Sequence, residues 1–505
     1  MATSLEETSS RDAALGPADI ELADTTLPFT ATATKTKDQD FLVTFDPSFD
    51  VDNPKDWPSS RKWSVTDVLS ATGFNRIMVS TIMAPALSTI AYELHMSSTE
   101  AVMAFSIYLL ATAFGPLVIG PLSEVYGRKK VLHASNVWFL VWNIVCGFAR
   151  TKEVLIASRF LAGFGASSIY ALAGGVLSDV WRPEQRGRSL GIYLLIPLLG
   201  AAVGPIIGGF MAFRTTWRWM FWSTSIFQAV MIVISFQAFH ETYAPTILAR
   251  RAATLRKDTG DIRYYTAHEC AMADRSLLSI LTQALTRPLR LLLFHPVIQI
   301  TAVISAVSYG ILYIVLATFA DLWTKQYGQS VEISGLHYIA CALGEVAGSQ
   351  LGGPLMDAYY RRQQSRHPDT VLAAEHRIPL SFPGFIIAAI GFLIFGWTSQ
   401  FRVHWAVVDI GICVAMFGEQ IAGLPLSAYT MDAYAEHASS ALAASQFLRS
   451  LSAFLFPLFA HAMYEKMEYG WGNTMVAGLT LVTGAMPVVL WVWGKDFRGR
   501  ARGTV

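Results

Sequence analysis

Twelve stretches of this chain are too long and too apolar to sit comfortably anywhere but in a lipid bilayer. They cover residues 65–89, 99–121, 131–149, 154–178, 190–213 and 219–240, then 296–320, 333–356, 378–397, 404–430, 438–462 and 471–494. At about 1.5 Å per helical residue, each reaches across a hydrocarbon core of about 30 Å. In lipid every backbone N–H and C=O must find its partner inside the segment, so such runs are expected to be helices. Only 15 % of the 505 residues are charged, against roughly 25 % in soluble domains. Lipid would cover the surface that this deficit leaves. The expected fold class is all-α and integral to the membrane, with twelve transmembrane helices.

The rest of the chain organises these segments. Residues 1–60 are polar, without periodicity, and read as a disordered cytosolic tail. No apolar run follows a basic start there, so the first membrane helix is expected to serve as the insertion signal. A six-helix bundle is expected over 61–240 and another over 296–494, with a short cytosolic tail over 495–505. Between the bundles lies a central loop, 241–295, partly helical and carrying Arg250, Arg251, Arg256, Lys257, Arg263, Arg275, Arg287 and Arg290. If the N-terminus is inside, twenty-four Lys and Arg residues flank the inner ends of the segments and seven the outer ends. That bias puts both termini in the cytosol; only the acidic loop 431–437 adds nothing to it.

The two halves repeat. Gly120-Pro-Leu-Ser-Glu-Val-Tyr-Gly-Arg-Lys129 ends the second segment and Gly353-Pro-Leu-Met-Asp-Ala-Tyr-Tyr-Arg-Arg362 ends the eighth. Glu124 and Asp357 share one offset, Arg128 and Arg361 another. Asp179 and Asp432 close the fourth and tenth segments, and Pro205 and Pro457 follow them by 26 and 25 residues. Agreement at three places in one order implies homologous six-helix halves, with a substrate site at their interface near the midplane and access alternated by rocking.

Particular residues then carry expectations. A carboxylate at Glu124 would accept N–H groups of a neighbouring helix or pair with Arg128, making Gly120, Glu124, Gly127, Arg128 and Lys129, with Asp357 and Arg361, a gate whose contacts form in one state and break in the other; a merely solvated basic loop is the alternative. Gly200, Gly204, Gly208 and Gly209 line one helix face and allow close backbone approach, while Pro205 removes a helix hydrogen bond and can bend the segment. Charges inside the apolar runs are costly and point to function. These are Arg76 beside Asn75, Arg159, Glu345, Glu419 and, nearer the outside, Asp409. Arg76, Glu345 and Glu419 are expected at the central cavity or its wall. A carboxylate there that holds a proton near neutral pH would let proton and substrate compete, which is antiport; a static ion pair with Arg76 is the other reading. Tyr108, Tyr193, Tyr309, Tyr313 and Trp323 could line a cavity for flat or cationic molecules. The four cysteines and scattered histidines read as packing or interfacial groups, and no metal site or phosphate loop is visible.

Over residues 45–495 the chain resembles the major facilitator superfamily, and within it the fungal twelve-helix drug:proton antiporters of the polyamine and fluconazole-resistance exporter type. Gly120 to Lys130 is similar to the loop 2–3 signature, with Glu124 where many members have Asp. Arg159-Phe-Leu-Ala-Gly163-Phe-Gly165 is similar to the helix 4 signature of proton-coupled members. Gly200-Ala-Ala-Val-Gly204-Pro205-Ile-Ile-Gly208-Gly209 is similar to the antiporter signature of helix 5. Asp52-Asn53-Pro54-Lys55-Asp56-Trp57, Trp217-Arg218-Trp219-Met-Phe-Trp222 and Glu241-Thr-Tyr-Ala-Pro245 look like the fungal branch. The resemblance implies proton-coupled export of small amphipathic or toxic molecules (a drug, polyamine or secondary metabolite), a part for Arg159 in proton transfer or substrate access, and helices 1, 4, 7 and 10 around the cavity, which favours Arg76 and Glu419. Nutrient uptake or facilitated diffusion on the same fold is the alternative, and a membrane-bound enzyme or receptor the alternative of another class. The expected working unit is a monomer in a lipid bilayer, most simply the plasma membrane, with a small-molecule substrate and protons as partners. No cofactor, no metal and no nucleic acid are expected.

Overall fold

The computed structural model describes residues 41–272, 276–366, 374–434 and 438–501. Each of the twelve expected stretches falls on helix. In the first half these are α1 (Ser59–Thr81), α2 (Ser98–Tyr126), α3 (Arg128–Gly147), α4 (Lys152–Val180, interrupted at Ser167), α5 (Pro183–Arg214) and α6 (Arg218–Ala238). The second half has α7 (Pro296–Asp321), α8 (Val331–Arg366), α9 (Ser381–Gln400) and α10 (Trp405–Ala433). One run, Ala438–Ala501, follows and turns at Glu468, whose φ of 56° is not helical, giving α11 (438–467) and α12 (469–501).

Local chemistry sets these limits. The Ser97 hydroxyl accepts the Glu100 N–H at 3.3 Å while the Glu100 carboxylate accepts the Ser97 N–H at 2.8 Å, a reciprocal cap that starts α2. α1 stops earlier than its apolar run suggests, and Ala84–Ala86 and Leu87–Glu93 form separate short helices around Pro85. Proline has no N–H to continue the ladder.

Eight helical runs among the described residues are long and apolar enough to cross a membrane by length and composition. α1, α3 and α8 fall short because they carry polar groups, and in α1 and α3 those groups face inward. On α3, Asn136 and Asn143 are buried while Val137, Trp138, Val141 and Ile144 are exposed. Asn143 Nδ2 reaches the Phe221 carbonyl at 3.0 Å and the Thr224 and Ser225 hydroxyls at 2.9 Å each. Asn75 of α1 donates to the Thr224 carbonyl and to Gln228. Polar side chains thus bond helices together from within while the apolar face meets lipid.

The packing follows the repeat. α1 packs on α5, α2 on α4, α3 on α4 and α6; α7 packs on α11, α8 on α10, α9 on α10 and α12. The halves meet through α2 against α11 and α5 against α8, contacts that interchange when six is added to each helix number.

Residues 43–58, expected within a disordered tail, are instead held on the central loop. The Val43 N–H donates to the Tyr265 carbonyl at 2.9 Å, and Arg251 on the helix Ala244–Thr259 donates to Asp50 at 2.6 Å. Trp57 is buried, with the Arg61 guanidinium 3.9 Å from its ring centre. Asx-type bonds within 46–56 give this polar stretch local order that carries no periodicity. The expected tail over 1–40 lies outside the described residues.

Candidate functional site

One end of the bundle carries the joints 122–130 and 179–189 and the central loop, and is called here the basic end. At this end α2 and α3 are joined by Gly127 alone, at φ +91°, and a Cβ there would lie 2.4 Å from Glu241 Oε2. The break frees the first N–H groups of α3. Arg128 and Lys129 donate them to Glu241 Oε1 and Oε2 at 2.8 and 3.3 Å, and the N–H groups of Thr242 and Tyr243 also reach Oε1 at 3.1 Å each. The carboxylate that takes a neighbouring helix's N–H groups is therefore Glu241, not Glu124 as expected. Glu124 is exposed and bonds nothing among the described residues. Arg128 pairs with Asp179 at 3.4 Å and donates to the Ser123 hydroxyl. Gly175 makes room for its guanidinium, 2.8 Å from where a Cβ would sit. Around Gly120 a Cβ would meet nothing within 4 Å, so packing gives no reason for that glycine.

In the second half Tyr360 stands where Gly127 would be, and α8 continues without a joint to Arg366. Asp432 pairs at 2.6 Å with Arg377, on the turn Ala374–Leu380, while Arg361 is exposed. The side chain of Asp357 lies outside the described residues. The repeat is thus kept in sequence and broken in structure at this point.

The glycines of α5 divide into two sets. A Cβ at Gly200, Gly204 or Gly208 would lie 2.5 Å from the Phe74 carbonyl oxygen, 2.4 Å from Thr81 Oγ1 and 2.0 Å from the Ile82 carbonyl oxygen, all on or just beyond α1. Gly209 faces the other half, where a Cβ would be 2.8 Å from the Val331 carbonyl oxygen. Gly335 of α8 answers it, 2.8 Å from the Pro205 carbonyl oxygen. α5 runs unbroken through Pro205.

Arg159 is completely buried and does not snorkel. Its three nitrogens donate to the carbonyls of Val79 (2.9 Å), Phe105 (3.2 Å) and Ala104 (3.4 Å), and its guanidinium lies 4.6 Å from the Tyr108 ring centre. Arg76 is equally buried. It was expected at the central cavity and turns instead into the first bundle, where it donates to the Ser168 hydroxyl, the Asn136 side chain and the Ala166 carbonyl. The interruption of α4 at Ser167 supplies two of these acceptors. Arg76 makes no ion pair among the described residues, so the alternative reading of a static pair with Glu345 or Glu419 finds no support.

Away from the basic end the halves are closed on each other. Arg214 and Glu332 form a two-pronged pair at 3.2 and 3.1 Å between α5 and α8. The Ser80 and Tyr313 hydroxyls lie 3.5 Å apart between α1 and α7. One apolar cluster, including Val79, Ile82, Phe105, Tyr313, Phe319 and Trp323, spans both halves. Toward the basic end, the apolar clusters among the described residues stay within one half or its adjoining loop. The halves are thus sealed on each other at the far end.

On the second-half side of the divide between the halves stands Arg449, which neighbours Tyr170 of the first half, and α8 and α10 of the same half carry the carboxylates Glu345 and Glu419. Both oxygens of Glu419 are buried and make no ion pair among the described residues, with the Ser308 side chain as their polar neighbour. Glu345 on α8 has Arg449 on α11 as its charged neighbour. Arg449 was not expected; its guanidinium stands 3.8 Å from the Tyr309 ring centre, and its Nε has no partner among the described residues. An arginine in mid-segment without a motif around it was its only sequence signal. Tyr170 of α4, also not expected, keeps 37 % of its surface exposed and neighbours Tyr309 and Arg449 from the opposite half. Of the aromatics expected to line a cavity, Tyr309 is half-exposed, whereas Tyr108, Tyr193, Tyr313 and Trp323 are buried. Asp409 belongs elsewhere: it bonds His337 at 2.7 Å, and His337 stacks 3.6 Å from the Trp323 ring.

A bundle of two six-helix halves sealed on each other at one end, with charges buried inside it, is the architecture of a membrane carrier. The family model described as Major Facilitator Superfamily matches residues 69–457, and the chain belongs to that superfamily. It is a multi-pass membrane transporter and not an enzyme. Among its relatives, a probable efflux pump mfs2 of Aspergillus flavus is 54 % identical over 84 % of this chain and all of that protein. The efflux pump vrtL of Penicillium aethiopicum is 38 % identical over 91 % of each. Among solved structures, the inward open xylose transporter XylE from E. coli superposes with a TM-score of 0.62 at 14 % identity, over 84 % of this chain and 95 % of that one, a likeness of fold.

Proposed function

We propose that this protein is an efflux pump that exports small amphipathic or toxic molecules in exchange for protons by alternating access. Two relatives, mfs2 and vrtL, bear the name efflux pump, and the glycines of the antiporter-type helix pack against α1 and α8. What carries the reading is a far end sealed between the halves together with Glu419, a carboxylate buried in the bundle with no ion pair among the described residues. An ion so placed costs several kcal/mol unless it is wet, paired or protonated. Glu419 and Glu345 are assigned the proton-coupling role. Arg159 is a fixed brace between α1, α2 and α4, and Arg76 a brace between α1, α3 and α4. The gate at the basic end comprises Gly127, Arg128 and Lys129 with Asp179 and Glu241. Asp357 and Arg361 are its second-half counterparts.

The basic end faces the cytosol, with both termini, and the protein works as a monomer in the plasma membrane. The two transporting bundles span 61–240 and 296–494. Full-length protein in vesicles with an imposed pH gradient, offered labelled amphipathic compounds, provides the test. Accumulation against the compound's own gradient, abolished when the pH gradient collapses, is the expected result. Equilibration that ignores pH, or normal transport at every pH by both Glu345→Gln and Glu419→Gln, would overturn the coupling assignment.

A further inference from the structure

Resting on the export reading, the chemistry of the divide narrows the cargo. Groups with complementary demands converge there from four helices: the Arg449 guanidinium of α11, 3.8 Å from the Tyr309 ring centre of α7, the Glu345 carboxylate of α8 within reach of its charge but not in an ion pair with it, and Tyr170 of α4 from the other half. An arginine held on an aromatic face presents its remaining N–H groups as donors and has no acceptor of its own. Glu345, when ionised, only accepts. The two tyrosines offer flat apolar faces with hydroxyl edges. A polycation would have to approach Arg449, and like charges brought together in a poorly solvated site are strongly unfavourable.

We infer that the divide selects flat, neutral, oxygen-rich aromatic molecules bearing both a carbonyl acceptor and a phenolic donor, with Arg449 donating to the carbonyl and Glu345 accepting the phenolic O–H, and that it rejects polyamines. The sign of coupling follows from this pairing. A proton on Glu345 exchanges the charged acceptor that holds the phenol for a weaker neutral one, so proton and cargo disfavour one another, as exchange requires. An anionic cargo on Arg449 would do the opposite, because its charge would favour the protonated glutamate and carry both in one direction. Arg449 is thus the specificity-determining residue, and Glu345 is where cargo and proton compete.

The test is equilibrium binding to purified full-length protein, which needs no transport. The probes are 2,6-dihydroxyanthraquinone, its 2,6-dimethoxy analogue, spermidine and the aromatic cation rhodamine 6G. The dihydroxy compound is expected to bind about tenfold or more tightly than the dimethoxy compound, the effect of one well-placed hydrogen bond to a charged group. Spermidine should not bind. Acidification should weaken dihydroxyanthraquinone binding in the wild type, and Glu345→Gln should abolish that pH dependence. Arg449→Gln should lose about tenfold for the dihydroxy compound and gain affinity for rhodamine 6G, with Arg449→Lys between. The wild-type panel decides the matter even if a variant fails to fold. Equal binding of the two anthraquinones, binding of spermidine, no binding by any probe, or an Arg449→Gln protein that binds all as before would each overturn the inference. Failure of export itself would show separately, as vesicles that bind a probe yet never concentrate it.

Discussion

Replacing Gly208 by alanine asks whether the glycine face of α5 is a steric requirement. The added methyl carbon would sit 2.0 Å from the Ile82 carbonyl oxygen, where ordinary contact begins at 3.4 Å. α5 and the chain just beyond α1 would have to separate there by about 1.4 Å. Tilting does not relieve this, because Gly200 and Gly204 hold the same pair of helices as closely one and two turns away. Overpacking of this kind costs about 1–3 kcal/mol, and contact with rigid backbone belongs at the upper end. Alanine returns about 1 kcal/mol of helix propensity, leaving a net loss of about 2 kcal/mol. Gly120→Ala gains the same propensity and meets nothing. The expected outcome is opposite signs: Gly208→Ala lowers the melting temperature of the purified protein in detergent, and Gly120→Ala leaves it unchanged or raises it. A Gly208→Ala protein that melts at or above the wild type would refute the argument, as would equal shifts in both variants.

Other expectations follow from the same contacts. Arg159→Gln leaves most of three buried carbonyl contacts unmet and should lower thermal stability by about 2–4 kcal/mol, with Arg159→Lys recovering part of it, read by melting alongside vesicle transport. Burial pushes the Asp50 carboxyl up, but the Asp52 N–H and the Arg251 guanidinium outweigh it and hold it below its ordinary 3.8. The Asp50–Arg251 clamp is therefore present above that ordinary value and lost as pH falls through the lower folded value, so limited proteolysis near residues 43–57 should accelerate below pH 3.8, and in Asp50→Asn at neutral pH. A cysteine at Tyr92 or Ile262, each 87 % exposed, should be labelled by an impermeant maleimide in intact cells only at position 92; the reverse would invert the orientation.

Much of the architecture was legible because bilayers impose simple rules. Most of the segments needed only length and apolarity, the start of α2 was written in Ser97 and Glu100, and the stripe Gly200, Gly204, Gly208 declared its close contact by spacing. The misreadings share a cause: sequence gives depth along a helix but not the direction a long side chain takes. Arg76 lies at cavity depth, yet the broken turn at Ser167 offered carbonyl and hydroxyl acceptors on the other side. Glu124 had the right offset to cap α3, but Glu241, more than a hundred residues on, folds back into the place. Arg449 escaped notice because no motif frames it and its partners, Tyr309, Glu345 and Tyr170, are near only in space.

The joint at Gly127 has a mechanical meaning. One half possesses an articulation where the other has a continuous rod of 36 residues, about 54 Å at the usual helical rise. A duplicated scaffold stiffened on one side cannot respond symmetrically to load. Substitutions at equivalent positions of the two blocks, 120–129 and 353–362, will not produce mirror-image phenotypes, and inserting a flexible glycine at Tyr360 would soften a strut rather than restore a lost twin.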